Sequence, residues 1–154
     1  MNINERAPVK STKELHVAAT RDVVWSILTD IDGWPTWNRA VSRARLEGPL
    51  APGSVFRWKS GGSCVVSTLQ EVEAPKRVSR TGKALGTTAV HVWTLEVAGS
   101  GVLVKTFESF DGWLVRLVRS WFQRLLDTSL EEQLRSLKAA AEQQGLPGSA
   151  AGGR

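Results

Sequence analysis

The sequence predicts an α+β domain in which a curved antiparallel sheet of six to seven strands wraps around one long C-terminal helix, with two short helices after the first strand. Two hydrophobic periods predict this arrangement. Apolar residues alternate with period two from residue 41 to residue 110, as in half-buried strands. After Gly112 the period is helical until about Gln143, and about thirty residues at 1.5 Å each make a helix of about 45 Å. Because such a helix is longer than the domain is wide, the sheet must curl around it.

The segment before the sheet predicts one strand and two short helices. Residues 12–19 alternate as a first strand, and Thr20 can cap a helix whose apolar residues recur at helical spacing: Val24, Ile27, Leu28 and Ile31. Pro35 suits the first turn of a second short helix, which carries Trp34 and Trp37. These two indole rings, at i and i+3, are expected to face inward against the long helix or a cavity mouth.

Six further strands are predicted from residue 41 onward, each bounded by a glycine or proline turn signal: 41–47, 54–60, 63–73, 77–83, 88–97 and 102–110. The Gly99-Ser100 turn is the most informative, because a two-residue type II′ hairpin has glycine in its first central position. Such a turn pairs Ala98 with Gly101. Counting two residues at a time away from the turn on both strands then gives the inward pairs Leu95–Val104, Trp93–Thr106 and His91–Glu108. Paired Cβ atoms lie about 4.5–5.5 Å apart, so His91 and Glu108 are expected to be inward neighbours.

An apolar stripe predicts which face of the long helix is buried. Its members are Leu114, Leu117, Trp121, Leu125, Leu130, Leu134, Leu137 and Ala141. Leu117, Trp121, Leu125 and Leu134 are expected to lie against the sheet. The same segment mixes Trp113, Trp121 and Phe122 with Arg116, Arg119 and Arg124, a combination typical of helices at a membrane interface. Burial against the sheet is the preferred interpretation, because this is the helix that the sheet must cover.

The two ends of the chain have the composition of flexible tails. We therefore expect a tail over residues 1–11, a single domain over residues 12–143 and a second tail over residues 144–154. No signal peptide is visible, and no apolar run approaches the ~20 residues of a membrane span, so a cytoplasmic protein is expected.

Charge and composition narrow the range of partners. The net charge of +5 leaves nucleic acid and anionic membranes open, but the basic residues form no consecutive run. A solvated basic surface is therefore expected, with no nucleic-acid partner. Cys64 is the only cysteine and there are two histidines, so neither a disulfide nor a metal site is expected. No cofactor motif is visible, and Cys64 is expected to be a small buried residue within a strand.

The order of the elements resembles the helix-grip fold of the START and Bet v 1-like superfamily, and within it the polyketide cyclase/dehydrase-like (SRPBCC) proteins of bacteria. The resemblance rests on VVWSILTDIDGWPTWN (23–38), GPLAPGSVFRWK (48–59), EVEAPKRV (71–78), AVHVWTLE (89–96) and LVRLVRSWFQRLLDTSLEEQLRSLKAAAE (114–142). Together these segments span about residues 12–143. One departure is Arg80, at a position where the family often has an aromatic residue. The resemblance implies an internal pocket for a small hydrophobic molecule, and Arg80 implies that this pocket is not wholly apolar.

The inward strand positions define the expected pocket, which is enclosed or half-open and for which we expect a volume of about 300–1,000 Å³. Bulky apolar groups with few polar ones are what a small-molecule site requires. The predicted ligand-binding residues are Trp34, Trp37, Phe56, Trp58, Arg80, His91, Trp93, Thr106 and Glu108. A filled core without a cavity has the same composition, and the resemblance favours the pocket.

Three functions stay open at this point. The first is binding or carriage of a small hydrophobic molecule, lipid-like or polyketide-like. The second is an enzyme such as a cyclase or dehydratase, in which His91, Glu108 and Arg80 supply acid–base groups. The third is an interaction module whose basic surface contacts a membrane or an acidic partner, with binding that weakens in salt.

Overall fold

The computed structural model describes residues 1–145, and in it one seven-stranded antiparallel sheet packs against helices. The strands are β1 (Val9–Val17), β2 (Val41–Glu47), β3 (Val55–Ser60), β4 (Ser63–Glu73), β5 (Arg77–Ala84), β6 (Thr87–Ala98) and β7 (Gly101–Asp111). The helices are α1 (Arg21–Thr29), a 3₁₀ helix (Ile31–Thr36), α2 (Trp113–Leu117) and α3 (Arg119–Gln144). The strand order β1-β7-β6-β5-β4-β3-β2 confirms the predicted fold class. No helix within residues 1–145 is both long enough and apolar enough to span a membrane.

Strand β1 begins at Val9 rather than at residue 12, so part of the expected N-terminal tail is sheet. Val9 is fully buried opposite Phe110, and Ser11 is also buried. The exposed Lys10 lies between them, so the alternation of inward and outward side chains already starts at Val9. The sequence does not show this pattern because the inward residue at position 11 is a polar serine. At the other end α3 reaches Gln144, and the rest of the expected C-terminal tail lies outside the described residues.

The two short helices form as the capping signals predict. The Thr20 side chain accepts a hydrogen bond from the backbone N–H of Val23 at 3.2 Å. The buried face of α1 consists of Val24, Trp25, Ile27 and Leu28. Ile31 opens the 3₁₀ helix instead of closing α1, and Pro35 lies inside that second helix. Trp34 belongs to the 3₁₀ helix, and Trp37 is the residue that ends it.

All six strands predicted from residue 41 onward are present, with ends shifted by at most one residue. The Gly99-Ser100 turn has two residues, with φ of Gly99 at +61°, and Ala98 pairs with Gly101. The predicted pairs follow and are confirmed: Leu95–Val104, Trp93–Thr106 and His91–Glu108. The turn therefore sets the register that brings the polar residues of β6 and β7 together.

The long helix is interrupted, and this overturns part of the predicted buried stripe. Val118 leaves the helical conformation at φ −125° and ψ 48°, which separates α2 from α3. Burial of Leu134 is confirmed, but burial of Leu117, Trp121 and Leu125 is wrong: their exposed fractions are 73%, 56% and 42%. The prediction assumed one uninterrupted helix. The break rotates the inward face, which consists of Phe122, Leu126, Leu130, Leu134, Leu137 and Ala141.

Candidate functional site

Four polar side chains are buried on neighbouring strands of the sheet. Arg80 lies on β5, His91 on β6, and Thr106 and Glu108 on β7. Arg80 pairs with His91 across β5 and β6, and His91 pairs with Glu108 across β6 and β7. Strand register alone thus assembles the polar cluster that the sequence predicts, in a core that is otherwise apolar.

His91 is a neutral imidazole with both ring nitrogens in use. Its Nδ1 accepts a hydrogen bond from Nη2 of Arg80 at 2.9 Å, so Nδ1 carries no proton. The proton is therefore on Nε2, which donates to Oγ1 of Thr106 at 2.6 Å. Burial, together with the positive charge of Arg80, holds the pKa of His91 well below its usual range.

Glu108 lies beside the unprotonated nitrogen of His91, with Oε2 at 3.4 Å from Nδ1. Burial raises the pKa of Glu108 to about 7, against the positive charge of Arg80, which lowers it. The single lone pair of Nδ1 is already used by Arg80, so a charged Glu108 carboxylate is repelled at this contact and protonation of Glu108 relieves the repulsion. Glu108 can therefore gain or lose a proton near neutral pH.

Arg80 is buried among aromatic rings. Its guanidinium carbon lies 4.9 Å from the ring centroid of Trp58 and 5.8 Å from those of Trp34 and Phe56. Besides the bond to His91, it donates to Oγ of Ser67 at 3.4 Å. Burial lowers the pKa of Arg80 and the charge of Glu108 opposes this, yet a guanidinium keeps its proton at neutral pH. It has five N–H groups, so donors are left for an incoming oxygen atom.

Ser67 is a member of the site that sequence reasoning missed. It is fully buried and accepts hydrogen bonds from Arg80 and from Nε1 of Trp58, the latter at 3.0 Å. The signal was available in the Gly61-Gly62 turn, which pairs Ser60 with Ser63 and, further along the strands, Phe56 with Ser67. Counting across that turn would have placed Ser67 on the inward face with Phe56.

Within residues 1–145, the predicted lining residues surround no space of about 300–1,000 Å³, so that prediction is wrong. Two voids of about 20 Å³ each lie among them instead. Aromatic rings fill the space, with Trp34 edge-on to Phe56 at 5.5 Å and to Trp58 at 6.0 Å between centroids. A bound molecule therefore requires these side chains to move.

Most of the predicted ligand-binding residues border the two voids. Arg80, Trp34 and Trp93 border both. Trp37, Phe56, Trp58 and His91 each border one void. Apolar residues that were not predicted also border the voids: Leu28 at both, and Ile31, Val41, Leu50, Leu69 and Val78 at one each. Thr106 and Glu108 border neither void, and each contacts His91 instead.

A larger space lies outside the core, in an open groove of about 640 Å³ between residues 35–40 and α3. Trp37, Asn38 and Gln133 line both this groove and the interior void that Trp58 borders. The Nε1–H of Trp37 is buried without a hydrogen-bond partner in residues 1–145, whereas Trp34 donates to the carbonyl of Leu28 at 2.9 Å. Trp37 thus separates the groove from the interior.

Among the described residues, no three His, Cys, Asp or Glu side chains are grouped in a way that could hold a metal ion. Cys64 is exposed, so its predicted burial is wrong. The reason is the register of β4: Cys64 pairs with the exposed Lys59 and shares the outward face of the sheet with Val66, which is also exposed.

Residues 8–142 match the protein family described as polyketide cyclase / dehydrase and lipid transport. No protein of curated function matches the sequence. Similar solved structures include a hypothetical protein from Helicobacter pylori (TM-score 0.80, 17% identity, covering 89% of this chain and 90% of the other). They also include the Zhui aromatase/cyclase from a Streptomyces species (0.78, 16%, 94% and 98%) and a START superfamily protein from Mycobacterium smegmatis (0.74, 16%, 87% and 97%). At these identities the solved structures show a shared fold.

Proposed function

Because this chain belongs to the polyketide cyclase/dehydrase and lipid transport family, we propose that it binds a small, mainly apolar molecule between the sheet and the two short helices, with an oxygen atom of that molecule at Arg80. The observation that carries the proposal is a buried guanidinium that faces three aromatic rings and borders both interior voids. The rings of Trp34, Trp58 and Trp93 offer an apolar contact surface to the rest of the molecule.

The electrostatics of Arg80 support an oxygen-bearing ligand. A buried cation is costly unless it is paired. Within residues 1–145, Arg80 makes no ion pair, and its hydrogen-bond partners are the neutral His91 and the hydroxyl of Ser67. With a pKa of about 7, Glu108 is only partly ionised at neutral pH. A carbonyl, phenolate or carboxylate oxygen would complete the hydrogen bonding of the guanidinium.

Access to the interior runs past Trp37. This side chain is half-buried, borders the outer groove and the inner void, and has an indole N–H without an acceptor in the described residues. No hydrogen bond therefore opposes its rotation. Displacement of the Trp37 ring connects the groove of about 640 Å³ with the space beside Arg80.

Titration with two carboxylates tests the proposal. 2-Naphthoic acid carries fused aromatic rings and decanoic acid carries an aliphatic chain, so together they represent polyketide-like and lipid-like molecules. We expect calorimetric binding of at least one of them. Arg80→Met should weaken that binding roughly 10- to 100-fold, the range for a hydrogen bond to a charged group.

The matched control is Arg45→Met, which removes the same charge from an exposed position on β2. This variant should bind like the unmodified protein. 2-Methylnaphthalene, which has no oxygen atom, should not distinguish Arg80→Met from the unmodified protein. Circular dichroism and thermal unfolding verify that each variant is folded. Carboxylate binding that is equal in both arginine variants, or absent in the unmodified protein, would contradict the proposal.

Acid–base catalysis is the second candidate function, and the pKa of Glu108 near 7 favours it. Because Glu108 borders neither void, a proton would reach the bound molecule through His91, which does border one. His91→Gln and Glu108→Gln separate the two functions: both should spare binding in a carrier and abolish turnover in an enzyme. Deuterium uptake by the methyl group of acetophenone, followed by NMR, measures removal of a proton next to a carbonyl group.

A further inference from the structure

Apolar side chains are exposed together on the surface around the break between α2 and α3. This surface, named the outer patch, includes one residue of the β5–β6 turn. The members and their exposed fractions are Leu85 (83%), Trp113 (63%), Leu117 (73%), Val118 (41%), Trp121 (56%) and Leu125 (42%). Single exposed apolar residues are ordinary, but a contiguous group that contains two tryptophans marks an interaction surface.

Backbone contacts make the outer patch continuous. The N–H of Leu114 donates to the carbonyl of Gly86 at 3.2 Å, which seats the β5–β6 turn against α2. A Cβ atom on Gly86 would lie 2.8 Å from the ring of Trp113, so Leu85 is next to a residue that touches this indole. At the break, the carbonyl of Val118 accepts the N–H of Trp121 at 3.1 Å, which holds the start of α3 close to α2.

The outward position of Trp121 is a consequence of what lies beneath it. Phe122 occupies the inward position and packs edge-on against Phe110, with ring centroids 6.1 Å apart. Trp121 in turn lies edge-on to Phe122 at 4.9 Å. The small core cluster below is complete without Trp121, and its buried members are Val9, Val115, Phe122, Leu126 and Leu130. The indole is thus supported from below while most of its outer face is free.

The charge of the outer patch is positive. Residues 113–126 contain three arginines and no acidic residue. Arg116 forms an ion pair with Asp111 at 2.9 Å, whereas Arg119 and Arg124 have no acidic partner within residues 1–145. On the helix line that contains Trp121 and Leu125, an acidic residue first occurs at Glu132, about two turns further on.

From this combination we propose that the outer patch docks on the surface of a bilayer that contains anionic lipids. Indole rings favour the region between acyl chains and headgroups, and arginines without counter-charges attract anionic headgroups. A second copy of the chain is a poorer occupant. A two-fold symmetric contact brings the same patch together twice, so the unpaired arginines would face each other.

Docking and interior binding use different surfaces. No member of the outer patch lines the groove or either void. Ser129, the first groove residue on α3, lies eight positions beyond Trp121, which corresponds to about 12 Å along the helix. The docking proposal therefore does not depend on a bound molecule in the interior, and either proposal can fail without the other.

Flotation with lipid vesicles tests the docking. Vesicles of phosphatidylglycerol and phosphatidylcholine in equal parts should bind the protein, vesicles of phosphatidylcholine alone should bind it weakly, and added salt should weaken binding. Arg119→Gln and Arg124→Gln should each reduce the affinity roughly fivefold, as for one basic residue near an anionic surface. Trp121→Ser should reduce it about tenfold or more through lost apolar burial.

Two variants serve as matched controls. Val97→Ser changes an apolar residue that is 65% exposed at the end of β6, and Arg43→Gln changes an exposed arginine on β2. Both should bind vesicles like the unmodified protein, as should Trp121→Phe, which keeps an aromatic ring. Thermal unfolding checks that every variant is folded. Equal binding to neutral and anionic vesicles, full binding by Trp121→Ser, or a dimer in solution that requires Trp121 would each overturn the docking proposal.

Discussion

Residues 130–141 and residues 113–125 both place apolar side chains at helical spacing, yet the first run is buried and the second is largely exposed. Leu130, Leu134, Leu137 and Ala141 are at most 3% exposed, because α1 and the sheet cover this part of α3. Leu117, Trp121 and Leu125 face outward. The difference shows that an apolar stripe marks an interaction face but does not identify its partner.

The physical origin of the difference is the number of apolar residues available at each end. In the second half of α3, every residue of the apolar stripe has room in the core and is buried there. Around the break at Val118 there are more apolar side chains than the core can hold, because the inward Val115, Phe122 and Leu126 already fill the small core cluster. The surplus must face outward, where it forms the outer patch. Two neighbouring residues, Trp121 and Phe122, therefore have opposite roles.

The largest expected effect concerns these two neighbours. Phe122→Ala should lower the free energy of unfolding by about 3–5 kcal/mol, the range for a buried aromatic residue. Trp121→Ala should lower it by only about 1 kcal/mol, since it loses one edge-on ring contact and little burial. Urea denaturation measures both. If Trp121→Ala were as destabilising as Phe122→Ala, the proposed division between core and outer patch would be wrong.

A somewhat smaller effect is expected in the pH dependence of stability, which should differ between the buried Glu108 and an exposed carboxylate. The pKa of Glu108 is about 7 in the folded protein and 4.5 as the ordinary value, so folding favours its protonated form. The resulting stability is fully present below pH 4.5 and is lost as the pH rises through 7. At 1.36 kcal/mol per pKa unit, the loss is about 3 kcal/mol.

Comparison with Glu108→Gln measures this loss. His91, whose low pKa removes stability as the pH falls below 6.5, is present in both proteins, so most of its contribution cancels in the difference between them. As the pH rises from 4.5 to above 7, the unmodified protein should lose stability relative to Glu108→Gln. Glu96→Gln, at an exposed position paired with Lys105, is the control and should follow the unmodified protein. A parallel pH dependence in all three proteins would rule out a raised pKa for Glu108.

Sequence patterns predicted the sheet more accurately than the helix for a physical reason. A two-residue turn determines the pairing of every residue behind it, so Gly99 and Ser100 were sufficient to place His91 opposite Glu108. A helix has no such anchor. The break at Val118 lies within residues 113–126, which contain neither proline nor glycine, so no residue type in the sequence marks it.

The sequence predicted most members of the candidate site, with Ser67 as an exception, but it did not predict the volume. Period-two alternation identifies which side chains point inward, which is why Trp58, Arg80 and His91 lie where expected. Whether large inward side chains surround a space or fill it depends on their rotamers and on how closely α1 approaches the sheet. Neither is encoded in alternation, and here Trp34 enters the space and fills it.

The central claim is that the interior and the outer patch are two separate contact sites, and the indole N–H signals of the seven tryptophans test it most directly. In ¹⁵N–¹H spectra, 2-naphthoic acid should shift the signals of Trp34, Trp37 and Trp58 and leave those of Trp113 and Trp121 unchanged. Vesicles of phosphatidylglycerol and phosphatidylcholine, added at a low ratio so that signals survive, should selectively broaden Trp113 and Trp121. Perturbation of the same signals by both additions, or of the outer pair by the acid, would contradict the claim.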